Sequence, residues 1–151
     1  MAQQNAQQEV SVSVRNTAVL IASIAETILL LGTFLAGFGT ALWVVGKFLR
    51  LHGTVNDAWM AAITSTHISF AIISGFGAAL LLALSYLSGR KELFYLSLVT
   101  IIGVGFAAAM GLAFNYAITN PVHPWLSYAM GMTVVVPLAS TVGCIVYSLS
   151  K

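Results

Sequence analysis

Two of the three histidines stand at matching places in the chain. His67 opens the stretch His-Ile-Ser-Phe-Ala-Ile-Ile-Ser-Gly, and His123 opens His-Pro-Trp-Leu-Ser-Tyr-Ala-Met-Gly, so Gly75 and Gly131 each follow their histidine by eight residues. Positions four, seven and eight further along a helix return to the same face. Below His67 that face holds Ala71, Ser74 and Gly75; below His123 it holds Ser127, Met130 and Gly131. Two neutral imidazoles facing each other across a gap wider than the about 8–10 Å between packed helix axes would suit the iron of a b-type haem. Small residues beneath the ligands would help to supply that gap. A structural reading stands beside this one, because small residues at such intervals also let membrane helices pack closely. A different metal or a quinone is a third reading. His52, in a polar connection, reads as exposed or interfacial rather than as a ligand.

Glu26 is the second candidate. It lies about eight residues into the first apolar run, about 12 Å from its start at 1.5 Å per residue. A carboxyl at that depth is costly against lipid, so it should face the bundle, a partner subunit or water, and burial favours its neutral form. Ser23, Thr27, Thr100, Ser140 and Thr141 are neighbours at comparable depth. The sharp reading is proton transfer or contact with a quinone. The plain one is a protonated carboxyl bonded to a hydroxyl or carbonyl group.

The elements that must carry these residues follow from composition. The chain has 151 residues, 59% hydrophobic and only 7% charged, against roughly 25% charged in an average soluble domain. A soluble globule is excluded. Crossing about 30 Å of hydrocarbon takes about 20 apolar residues in a helix, and four runs qualify: about 18–45, 67–87, 93–118 and 125–149. They are too long and too evenly apolar for strands of a membrane barrel. The expected fold class is an all-α integral membrane protein, a four-helix transmembrane bundle made of two hairpins, with residues 1–17 as a polar N-terminal tail and 18–151 as the transmembrane domain. That tail is rich in Gln, Asn, Ser and Ala and is expected to be mobile or to lie on the surface.

Lys/Arg bias sets orientation where loops are short. Arg15, Arg90, Lys91 and Lys151 fall on one side and Lys47 and Arg50 on the other, which predicts cytoplasmic termini. Trp43, Trp59 and Trp125 then mark the outer ends of spans and Tyr86, Tyr95 and Tyr147 the inner ends, as aromatic belts do. The one sizeable connection, residues 46–66, is predicted to hold a short interfacial helix or an extension of the second span.

In hydropathy, topology and histidine placement the chain resembles haem A synthases over residues 29–87 and 111–138. That family is built of repeated four-helix halves with cytoplasmic termini and axial histidines at the outer ends of the even helices. The resemblance implies ligand roles for His67 and His123. It departs from the family at Thr64, where the family has a glutamate, at Ile68, where it has an arginine, and in lacking the cysteine pair of the first outer loop.

A formal charge of +2 is too small and too dispersed for nucleic acid. One cysteine, Cys144, allows neither an internal disulfide nor a multi-thiolate metal site and reads as a packing residue. Pro137 is expected to kink the fourth span, while Pro121 and Pro124 stiffen the approach to His123. No phosphate-cradling loop, paired carboxylates or metal-ligand cluster is present, so the chain reads as a subunit of an enzyme complex more readily than as an enzyme. The expected function is a small haem-binding subunit of a respiratory or other electron-transfer complex. It would sit in the cell membrane, a prokaryotic inner membrane, with the bilayer and other membrane subunits as partners. The alternatives are a cofactor-free accessory subunit of a larger oxidase or monooxygenase, and a divergent haem A synthase.

Overall fold

The computed structural model describes residues 2–48, 57–117 and 125–150, with side chains described over 14–39, 61–113 and 129–150. Four helices make up the fold: α1 (Ala2–Phe48), α2 (Asp57–Ser88), α3 (Lys91–Ala117) and α4 (Trp125–Leu149), with no strand among the described residues. Each contains a stretch long and apolar enough to cross a membrane: Val14–Gly39, Ala61–Ser88, Lys91–Ala113 and Ala129–Leu149. Helix α2 starts at Asp57 and so continues the second span through the end of the long connection.

Residues 2–17, read as part of a tail, are not separate from α1, because the helix runs unbroken from Ala2. No proline or glycine interrupts the sequence before Gly32, and Ala and Gln are good helix formers once the apolar span supplies the nucleus. At the other extreme, α2 and α3 are joined by a tight turn. Gly89 takes φ +73° there, the left-handed conformation that ends helices, and its N–H donates to the Tyr86 carbonyl at 3.2 Å.

The helices run up and down in a ring, α1 beside α2, α2 beside α3, α3 beside α4 and α4 beside α1, leaving α1/α3 and α2/α4 on the diagonals. The start of α1, the α2–α3 turn and the end of α4 therefore share one end of the bundle, the termini end; the end of α1, the start of α2, the end of α3 and the start of α4 share the other, the loop end. Buried positions recur at alternating steps of three and four along every helix: Val19, Ser23, Glu26, Leu30, Thr33 and Gly37 on α1; Ser74, Ala78, Leu81 and Ser85 on α2; Leu93, Ser97, Thr100 and Val104 on α3; Val134, Pro137, Thr141 and Cys144 on α4. That spacing is the seam of a left-handed bundle. Large apolar side chains instead cover the outside, such as Phe76 and Leu112. Small and hydroxylated residues therefore do much of the packing between the helices.

Close approach is clearest at Gly103, where an added Cβ would come within 2.7 Å of the Pro137 ring. At the termini end, Arg15 donates from Nη1 to the Leu87 carbonyl at 3.2 Å and Arg90 from Nη2 to the Ser150 carbonyl at 3.3 Å. These cations bridge neighbouring helices onto the carbonyl ends of α2 and α4, where a positive charge is favoured. Tyr86, Tyr95 and Tyr147 are exposed at that same end.

Candidate functional site

Glu26 stands at the middle of Val14–Gly39, and Ser74 at the middle of Ala61–Ser88. The two meet. Ser74 Oγ and Glu26 Oε1 are 2.5 Å apart, and both residues are only 1% exposed. The other carboxyl oxygen, Oε2, is buried and has no hydrogen-bond partner. It is pressed against α2 at Gly77, where a Cβ would lie far inside van der Waals contact of Oε2 and 3.3 Å from Glu26 Cδ. Gly77 is thus a notch that admits the carboxyl between two helices.

Hydroxyls from the remaining helices lie at the same depth. Thr27 Oγ1 is 2.7 Å from the Ser23 carbonyl and 2.9 Å from Thr141 Oγ1, which donates to the Leu138 carbonyl at 2.9 Å. Thr100 donates to the Leu96 carbonyl at 3.1 Å, and Ser140 donates to that same carbonyl at 2.6 Å. Most of these hydroxyls spend their proton on a helix carbonyl, which satisfies them without reaching the carboxyl. The expected neighbours of Glu26 are therefore corrected in one respect. Its bonded partner is Ser74 of α2, which sequence reasoning had placed only among the small residues below His67.

Apolar clusters flank the layer. On the loop side Leu30, Val104 and Val134 pack with Phe34, Ala107 and Leu138; on the termini side Val19, Leu81, Leu93 and Cys144 form a second cluster. Beyond the second cluster, three more buried polar atoms lack a partner: Asn16 Oδ1, Ser85 Oγ and Ser148 Oγ. Helix register brings these three to similar depth on α1, α2 and α4, since Arg15 meets Leu87 and Thr27 meets Thr141.

His67 lies two turns above Ser74 on α2, towards the loop end. Its Nδ1 is 2.9 Å from the Thr33 carbonyl oxygen. A carbonyl only accepts, so Nδ1 is the donor in this bond. The ring is seated on Gly37 of α1, where a Cβ would come within 2.8 Å of Cε1. Its partner in the sequence argument, His123, lies outside the described residues, as do His52, Pro121 and Pro124. The two glycines expected to make room beneath the ligands do not face one another. Gly75 opens onto space with no atom within 4 Å of an added Cβ, whereas Gly131 looks at the Phe34 ring of α1 at 3.8 Å.

Sequence reasoning missed Gly77, Gly37 and the pairing of Ser74 with Glu26. One signal was available: Ser74 follows His67 by two full turns and so shares its helix face. Among the described residues no three His, Cys, Asp or Glu side chains gather as a metal site. Comparison with family models, with curated proteins and with solved structures gives no match.

Proposed function

We propose that this chain is a multi-pass membrane subunit of an electron-transfer assembly, inserted in the cell membrane with both termini in the cytoplasm, and that its redox role rests on His67. The observation that carries the reading is the imidazole held by the Thr33 carbonyl at 2.9 Å. A histidine that ligates a metal generally gives its other ring N–H to a carbonyl or carboxylate, which fixes the tautomer and aims the free nitrogen. With Nδ1 so occupied, Nε2 of His67 is the ligating atom, and His123 is its expected counterpart for a b-type haem iron, which would supply one-electron chemistry. The fit has a boundary: from Phe34 and Gly131 to Leu30, Val104 and Val134 the interior is filled by side chains. A flat macrocycle is therefore compatible only with the loop end.

The reduced-minus-oxidised absorption spectrum of the purified protein tests this reading, alongside His67→Ala and His123→Ala. A b-type signal lost in both variants is the expected result. A spectrum with no haem bands after isolation in mild detergent with haem supplied would end it. A cofactor-free accessory subunit is the second reading, favoured by an exterior on which large apolar residues dominate. It requires that same spectrum to be blank and the chain to copurify with a larger membrane complex.

A further inference from the structure

The haem reading makes no use of Glu26, yet this is the most unusual group in the bundle. It is 1% exposed, within the largely apolar stretch Val14–Gly39, with one carboxyl oxygen bonded to Ser74 and the other unpartnered. The facing residues carry no compensating charge. From α2 it meets Ser74 and Gly77; α4 presents Leu138, Thr141 and Cys144 along the same seam; its own helix supplies Ser23, Thr27 and Leu30; Thr100 of α3 is across the diagonal. The described cations are remote: Arg15 lies about 16 Å down the same helix at 1.5 Å per residue, and Arg90 and Lys91 are at the termini end beyond Ser88. His67 is about 10 Å above Ser74 along α2 by that same rise.

We propose that Glu26 is a proton-binding site at the middle of the membrane, holding its proton on the carboxyl oxygen that lies in the Gly77 notch and exchanging it with water. An isolated carboxylate in such surroundings is too costly to persist, and with no cation in reach a proton is the ligand that neutralises it. A metal cation such as Na⁺ needs several oxygen ligands at once. Oε2 has no hydrogen-bonded oxygen beside it, so the companions such an ion would require are not gathered there. Ser74 serves Oε1, so Oε2 is the oxygen free to hold and release the proton.

Dicyclohexylcarbodiimide, an apolar reagent for protonated carboxyls in membranes, provides one test. The carboxylic acid adds across a C=N bond, its proton going to nitrogen and its oxygen to carbon, and the O-acylisourea rearranges to an N-acylurea. Nothing leaves, so the protein gains the mass of the whole reagent. One adduct at Glu26, absent from Glu26→Gln and unaffected by NaCl, is the expected outcome. Infrared spectroscopy is the second test and needs no reagent to enter. A carboxylic-acid C=O band at neutral pH should shift in D₂O, disappear in Glu26→Gln and move to higher frequency in Ser74→Ala. Carboxylate bands in place of the acid band, or protection from labelling by Na⁺, would overturn the proposal.

Discussion

Replacing Gly77 with alanine should be among the most damaging single-methyl additions in this protein, and only because of Glu26. An added Cβ at 77 would overlap Oε2 and sit 3.3 Å from Cδ, so the carboxyl must leave its notch and give up the 2.5 Å contact with Ser74. A buried polar group that loses its partner costs about 1–3 kcal/mol, and overpacking adds about 1–3 kcal/mol. Against this stands up to about 1 kcal/mol of better helix propensity for alanine. The net expectation for Gly77→Ala is a loss of roughly 1–5 kcal/mol, or roughly 2–20 °C in Tm by the scaling for about 150 residues. Gly75→Ala, two residues away with open space beside it, is the control and should be neutral or slightly stabilising. Thermal unfolding in detergent of Gly77→Ala, Glu26→Ala and the double variant closes a cycle that isolates the pair. The double variant should be clearly more stable than the sum of the two losses predicts. Strict additivity, or a Gly77→Ala protein that melts with the wild type, would refute the notch.

Two further outcomes follow from the packing. Gly103→Ala should destabilise by about 1–3 kcal/mol, because the Cβ would meet Pro137 Cδ at 2.7 Å and a proline ring has little freedom to yield, while Gly105→Ala, with nothing within 4 Å, should not; paired melting curves decide this. Thr27→Val removes the 2.9 Å bond to Thr141 and should cost about 0.5–1.5 kcal/mol, the usual range for an interhelical hydroxyl bond in a membrane bundle; a larger loss in chemical denaturation would mean that Thr27 also supports the Glu26 layer.

Four spans, their antiparallel order and the placement of tyrosines at the termini end were legible in the sequence, because about 20 consecutive apolar residues have few other uses. The helical form of residues 2–16 was not, since a run of Gln, Asn and Ser carries no period of its own and takes its conformation from the span that it precedes. Glu26 was legible as an anomaly, but its partner was not. Which side of α2 faces α1 depends on a seam marked by Ser74, Ala78 and Ser85 rather than by large apolar residues, and in lipid the apolar residues point outward. The same inversion hides the seats at Gly37 and Gly77: among 13 glycines, nothing local distinguishes these two from Gly75, which has open space beside it.

The carboxyl seated in its notch also ties two distant positions into a single unit of inheritance. A glutamate at 26 is tolerated only opposite a residue without a side chain at 77, and once the glutamate is replaced by something shorter that restriction vanishes. In divergent descendants of this chain the two sites should therefore change together, glycine at 77 persisting only where the acid persists. That paired signature, more than overall similarity among apolar helices, is the mark by which a true relative could be told from a chance four-helix lookalike.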